Sequence, residues 1–157
     1  PVLIGVGCAV HADHADLALA RFAVDTRDLD EAAKRLRTVA ESSRDPELRL
    51  IAQSRLARVL SEQGKHDEAL KLLDVATAGS FTPVFHEIRG DVLAAKGDVA
   101  GARQAYDAAL AATASVQAQA FDREYVELKR DALPATVAAA APVAAPLAVA
   151  PVEGARP

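Results

Sequence analysis

The chain has 157 residues and a formal charge of −4, with 18 basic and 22 acidic residues. Neither sign forms a long run, which disfavours a phosphate-neutralising surface, so nucleic acid is not an expected partner. A single cysteine excludes an internal disulfide. Hydrophobic residues make up 51% of the chain but aromatic residues only 4%, which indicates a core of Ala, Leu and Val between closely packed helices.

The first ten residues are apolar, yet they are about half of the ~20 residues that a helix needs to cross a bilayer. Residues 1–15 are therefore predicted to be a poorly defined N-terminal remnant. Cys8, His11 and His14 have a spacing that would place them on one side of a helix, with Asp16 nearby. A complete structural zinc site needs four ligands, so incidental residues are the preferred interpretation, and no metal or cofactor is predicted. A metal site stays an alternative, which the absence of zinc from purified protein would exclude.

Three segments of the chain share a helical pattern, with alanine at the equivalent position of each. These alanines are Ala32, Ala69 and Ala102, which lie 37 and 33 residues apart, close to the ~34-residue period of tetratricopeptide repeats. Each segment follows another helix whose apolar residues recur with a period near 3.6. The segments are LDEAAKRL (29–36), HDEALKLL (66–73) and VAGARQAY (99–106).

Turn residues separate the two helices of each predicted pair. Gly64 and Gly97 occupy matching turns, where glycine takes the left-handed backbone conformation that other residues resist. The first pair is the weakest match, because Arg27 stands where the other two pairs have glycine.

Small and bulky residues also recur at equivalent positions. Ala57 and Gly90 match in the first helices of their pairs, where a larger side chain would hold the paired helices apart. Leu36, Leu73 and Tyr106 match in the second helices and are expected to fill the space beside the small residues.

One more helix is predicted from Phe121 to Leu133, ending before Pro134. Phe121, Tyr125, Leu128 and Leu133 lie near a common face, which is expected to cover the open end of a stack of hairpins.

The predicted organisation has three parts. Residues 16–133 form an all-α, tetratricopeptide-like α-solenoid of about three helical hairpins plus a C-terminal capping helix. Residues 134–157 are rich in Ala, Pro and Val and are predicted to be a disordered tail.

Four stretches of sequence carry a specific family resemblance. They are LALARFAVDTRDLDEAAKRL (17–36), RLARVLSEQGKHDEALKLLD (55–74), EIRGDVLAAKGDVAGARQAYDAAL (87–110) and YVELKRDAL (125–133). Together they resemble the YfgM family of tetratricopeptide-like proteins, which are ancillary subunits of the SecYEG translocon.

The resemblance implies a scaffold that is not an enzyme and that assists the export or chaperoning of newly translocated proteins. It implies attachment to the bacterial inner membrane by one N-terminal helix, with the helical domain in the periplasm. The implied partners are translocon subunits, periplasmic chaperones and unfolded clients. The chain departs from the family at its start, where the anchor that would attach it to the membrane is absent, and in its Ala/Pro-rich tail.

The first helices of the pairs line the inner surface of a tetratricopeptide stack, where peptides usually dock. Mixed charges on this surface suit transient clients better than one tightly held ligand. The alternative is a solvated helix face with no binding role. The polar residues expected to face the groove are Arg21, Asp25, Ser54, Arg58, Glu62, Glu87 and Asp91.

Two other kinds of site are not expected. A clamp for a C-terminal carboxylate needs asparagines, and the matching positions carry none: Leu17, Arg21, Arg55, Val84 and Ile88. Catalysis has no support, because neither His66 nor His86 has a nucleophile that the sequence places beside it, and no phosphate-binding glycine loop is present.

The functional hypothesis is therefore a periplasmic interaction scaffold. The alternative is a structural adaptor whose groove permanently holds one partner subunit. Binding of several unrelated unfolded clients would favour the scaffold, whereas one partner at fixed stoichiometry would favour the adaptor.

Overall fold

The structure is a computed structural model that describes residues 4–113 and 121–134, with side chains from residue 11 onward. Seven α-helices and no strand occur in these residues, which confirms the all-α prediction. The predicted disordered tail lies outside the described residues from residue 135 onward. The helices are α1 (Ile4–Asp25), α2 (Leu29–Ser42), α3 (Pro46–Glu62), α4 (His66–Leu72), α5 (Thr82–Lys96), α6 (Val99–Ala112) and α7 (Arg123–Asp131).

The first six helices form three hairpins, which are α1–α2, α3–α4 and α5–α6, and α7 packs against α6. Helix α3 also contacts α1 and α5, so the first helices of the hairpins lie side by side. Two short 3₁₀ turns, Val75–Thr77 and Gly79–Phe81, connect the second hairpin to the third. This arrangement confirms the predicted solenoid of three hairpins followed by one more helix.

The turns within the three hairpins share one backbone conformation. Gly64 and Gly97 have φ angles of 75° and 87°, as predicted, and Arg27 takes the same left-handed conformation with φ 63°. In the first turn the Asp28 amide donates to the Ala23 carbonyl at 2.8 Å, and equivalent bonds close the other two turns. The helix end therefore imposes its geometry even where the residue is not glycine, at a backbone cost that glycine avoids.

Aspartates cap four of the helices at their N-termini. Their carboxylates accept hydrogen bonds from backbone N–H groups in the first turn, which have no partner within the helix. Pro46 follows one of them in the first position of α3, where a missing N–H costs nothing. The capping residues are Asp28 of α2, Asp45 of α3, Asp98 of α6 and Asp122 of α7.

Small residues let the paired helices approach, as the sequence predicts. Gly90 and Ala57 are buried, and a Cβ atom added to Gly90 would overlap the ring of Tyr106. Leu36, Leu73 and Tyr106, the bulky residues of the second helices, are all buried. The close approach of α5 and α6 in the third hairpin therefore depends on Gly90, which leaves room for the ring of Tyr106.

The buried apolar residues form two clusters that meet at α5. The larger one extends from Leu17 to Val92 and joins α1 through α5. The smaller one consists of Ala102, Tyr106, Ala109 and Leu110 of α6 with Val126 of α7, and Leu93 of α5 packs against it.

The C-terminal helix is shorter than predicted and turns a different face inward. It spans Arg123–Asp131, and its buried residue is Val126, while Phe121 and Leu133 pack from outside the helix. Tyr125 and Leu128 were expected to cover the stack, but they are 51% and 65% exposed. The correction has a physical reason, because Lys129 on the inward side of the helix forms ion pairs with α5.

The first helix begins at Ile4, upstream of the boundary that the sequence suggests at Asp16. Ser43 donates a hydrogen bond to Asp13 at 2.7 Å, and Asp16 pairs with Arg35 at 2.9 Å, so this part of α1 contacts the second helix. The division into three segments stays a prediction. Within the described ranges, no helix combines the length and the apolar character needed to span a membrane.

Candidate protein-binding groove

The first helices α1, α3 and α5 line three neighbouring surface recesses, which together are called the groove. The first recess lies between α1 and α3 and has a volume of about 280 Å³. Arg58 of α3 lines all three recesses. The first recess is lined by Ala20, Arg21, Val24, Leu36, Arg55, Arg58 and Val59.

One end of the groove carries three arginines above an apolar floor. Arg21 of α1 and Arg55 and Arg58 of α3 are exposed, and they are called the basic half of the groove. Among the described residues, neither Arg21 nor Arg55 forms an ion pair. The basic half therefore presents guanidinium groups to solvent.

Two carboxylates at the other end of the groove already form ion pairs within the fold. Asp91 of α5 lines the recess between α3 and α5, while Glu87, one turn earlier, is buried and lines none of the three recesses. These two carboxylates, called the acidic half, accept hydrogen bonds from the ammonium of Lys129, Glu87 at 2.8 Å and Asp91 at 2.9 Å. The Tyr106 hydroxyl donates to Asp91 at 2.8 Å, and the Arg58 guanidinium lies 3.7 Å from Glu87. The carboxylates of α5 are thus neutralised within the fold.

Burial and charge set the protonation of this cluster. Burial disfavours the ammonium of Lys129, but the hydrogen bonds to Glu87 and Asp91 outweigh that cost and raise the pKa of Lys129. Burial and the hydrogen bond to Asp91 raise the pKa of Tyr106, so its hydroxyl stays a donor at neutral pH. Lys129 also lies 4.6 Å from the centre of the Tyr125 ring, which favours the cation further.

The fold agrees with the comparisons with known proteins. The family model described as a tetratricopeptide repeat-like domain matches residues 6–135. The chain belongs to this family. No solved structure matches it significantly.

Two curated relatives bear the name ancillary SecYEG translocon subunit. The protein of Escherichia coli (strain K12) is 36% identical over 94 residues, which cover 60% of this chain and 46% of that relative. The protein of Neisseria gonorrhoeae (strain ATCC 700825 / FA 1090) is 31% identical over 125 residues, covering 80% of this chain and 58% of that relative. The resemblance to the YfgM-like family is confirmed, and the chain spans about half the length of these relatives.

All seven residues that the sequence assigned to the groove lie on α1, α3 and α5, the first helices of the three hairpins. The structure gives these residues different surroundings. Arg58 and Glu62 line the recesses and are exposed, while Asp25 is exposed but lines none of the three. Ser54 is buried, and its hydroxyl donates to the Ile51 carbonyl of its own helix at 2.8 Å. Ser54 therefore offers no polar group at the surface.

Two residues that shape the groove were missed as groove residues from sequence. Arg55 lies one helical turn before Arg58, and this i, i+3 spacing was a usable signal. Lys129 had no such signal, because its partners lie 38 and 42 residues earlier in the chain.

Other chemistry finds little support in the geometry. The Ser61 hydroxyl lies 3.4 Å from Nδ1 of His66, longer than the roughly 2.6–3.2 Å between a nucleophile and its base, and no carboxylate among the described residues hydrogen-bonds to that ring. Among the described side chains, no group of three or more His, Cys, Asp or Glu residues is placed to hold a metal. Cys8, part of the triplet considered from sequence, lies outside the described side chains.

Proposed function

We propose that this chain is a protein-binding module that works beside the Sec translocon at the periplasmic face of the inner membrane. There it would hold newly exported polypeptides and the chaperones that receive them. Two supports for this role are membership of the tetratricopeptide repeat-like family and similarity to two relatives named ancillary SecYEG translocon subunit.

The observation that carries the proposal is the groove itself. Its recesses, each of about 260–280 Å³, are smaller than the roughly 300–1,000 Å³ of typical small-molecule sites. The first recess continues past Arg58 into the other two, so the surface is long and open. An open surface of this kind suits an extended or helical polypeptide better than a small ligand.

Membrane attachment belongs to the same proposal. The family resemblance implies one anchor helix, which would hold the module close to polypeptides as they leave the translocon. A tethered module meets its partners at high effective concentration, so a weak and reversible groove would suffice.

The test is a crosslinking pull-down from membranes of the source organism, with a tagged full-length gene product and partners identified by mass spectrometry. We expect translocon subunits and periplasmic chaperones, at levels above those from an untagged strain and from a tagged unrelated periplasmic protein. Recovery of cytosolic proteins alone would overturn the proposal. Recovery of one partner at fixed stoichiometry, without clients, would favour the structural adaptor instead.

A further inference from the structure

We propose that the basic half of the groove selects polypeptide segments in which acidic side chains flank a bulky apolar one. The inference rests on the proposed function, since it names the chemistry of the polypeptide that the module holds. It follows from three properties of the groove, which are the free charge, the apolar floor and the open shape.

The free charge of the groove is positive although the whole chain carries −4. Lys129 and Arg58 together carry the two positive charges that balance Glu87 and Asp91, and both oxygens of Asp91 already accept hydrogen bonds, from Tyr106 and Lys129. Arg21 and Arg55 have no ion pair among the described residues, and the acidic residues that line the recesses next to Arg58 are Glu62 and the already paired Asp91. The groove therefore attracts carboxylates more strongly than ammonium groups.

The spacing of the arginines suits more than one carboxylate. Arg55 and Arg58 lie one turn apart on α3, and Arg21 reaches the same recess from α1. Each guanidinium forms a planar fork that matches a carboxylate with two hydrogen bonds. A segment with acidic residues on both sides of its anchor would engage both helices, which a single terminal carboxylate would not.

The floor between the arginines supplies the apolar contact. Leu36, Ala20 and Val59 are buried and line the recess from below, and Val24 adds a partly exposed apolar edge. A Leu or Phe side chain placed here would bury apolar surface against the floor, which favours binding. A phosphate or a nucleic acid backbone would meet the arginines but leave the floor uncovered.

The open shape favours a polypeptide over a lipid. Ligand pockets for small molecules bury most of the ligand surface, whereas these recesses follow one another along α1, α3 and α5. A chain that crosses the helices would place its anchor in the first recess and continue along the others.

The experiment measures fluorescence anisotropy of labelled 12-residue peptides, acetylated and amidated so that no terminal charge remains. One peptide has Phe and Leu at its centre with Glu on both sides. Its matched peptides replace Glu by Lys, Glu by Gln, or the apolar centre by Ser. We expect the acidic apolar peptide to bind at least about tenfold more tightly than each of the other three, and less tightly at 500 mM than at 50 mM salt.

The protein variants test whether the arginines cause this preference. The double variant Arg21→Glu/Arg55→Glu is expected to bind the acidic apolar peptide at least about tenfold more weakly and to reverse the order of the Glu and Lys peptides. Arg44→Glu is the matched control, because Arg44 is exposed and lines none of the three recesses. Circular dichroism melting checks that all three proteins are folded.

Three results would overturn the inference. They are equal binding of the Glu and Lys peptides, an unchanged preference in the double variant, and displacement of the acidic apolar peptide by phosphatidylglycerol vesicles or by a DNA oligonucleotide. The pull-down described above, repeated with the double variant, separates the two proposals. If wild-type protein recovers the translocon while its peptides show no charge preference, the inference fails and the proposed function stands. If the preference is present but the translocon is absent, the proposed function fails.

Discussion

The two halves of the groove use the same kind of position on the first helices, yet their charges do different things. In the acidic half, Glu87 and Asp91 are bound by Lys129 and belong to the fold. In the basic half, Arg21 and Arg55 have no partner of opposite charge among the described residues. The comparison teaches that a charged residue on this surface is available to a ligand only where the next helix brings no counter-charge.

The largest expected effect on the free energy of unfolding comes from removing the ion pairs of the acidic half. The substitution Lys129→Met would leave Asp91 without a cation and the buried Glu87 with Arg58 alone, at 3.7 Å. We expect a loss of about 2–3 kcal/mol in the free energy of unfolding, less than for a fully buried pair because Asp91 is partly exposed. Urea unfolding measures it, with Lys71→Met on the exposed surface of α4 as the control. A loss below about 0.5 kcal/mol would contradict the role given to Lys129.

The same ion pairs set a pH dependence. Because the pKa of Lys129 is raised above its usual value of 10.5, the ammonium stabilises the folded chain fully below pH 10.5, and this contribution is lost as the pH rises through the folded pKa. The wild-type chain should therefore lose its advantage over Lys129→Met in strongly alkaline urea titrations.

A second substitution disturbs the acidic half through Tyr106, which packs against Gly90. Gly90→Ala would place a methyl group against the Tyr106 ring, whose hydroxyl binds Asp91. We expect a loss of about 1–3 kcal/mol from overpacking in thermal or urea unfolding. The double variant Gly90→Ala/Tyr106→Leu should recover part of the loss, and no recovery would show that the strain lies elsewhere.

A third substitution concerns Arg27, which lies in the turn between α1 and α2 and lines one recess of the groove together with Arg58. Arg27→Gly should raise the free energy of unfolding by about 1 kcal/mol, because glycine takes the left-handed conformation without the steric cost of a side chain. The matched change Gly64→Ala at the equivalent turn should lower it by roughly 1 kcal/mol. Shifts of the same sign in both variants would rule out this explanation.

The smallest expected effect is the reversal of charge in the basic half. Arg21→Glu/Arg55→Glu should change the free energy of unfolding by no more than about 0.5 kcal/mol, since neither arginine is paired among the described residues. A loss comparable to that of Lys129→Met would mean that the two halves do not differ as described.

The sequence predicted what depends on neighbouring residues. The hairpins, the glycine turns and the fit of Gly90 against Tyr106 follow from periodicity and from residue size, and the structure confirms them. Even the mismatch at Arg27 concerned only the residue type, because the hydrogen bonds of that turn are the same as in the others.

What the sequence did not reveal depends on distant residues. Spacing along α7 favoured Tyr125 and Leu128 as inward residues, but ion pairs between Lys129 and α5 fix a different face. Ser54 was expected to face the groove, yet packing against the neighbouring helices buries it, and its hydroxyl donates to its own helix. The assignment of binding residues stays a prediction.

The division of the apolar core into two clusters bears on the motions of the chain. Among the described residues, the cluster of α6 and α7 contains 5 buried apolar side chains and the cluster of α1 to α5 contains 20. Less apolar surface opposes the opening of the C-terminal helices, so their amide protons should exchange with solvent before those of α2 and α3. Each such opening withdraws Lys129 and Tyr106 from α5, and the groove then gains the free carboxylate of Asp91 until the helices close again.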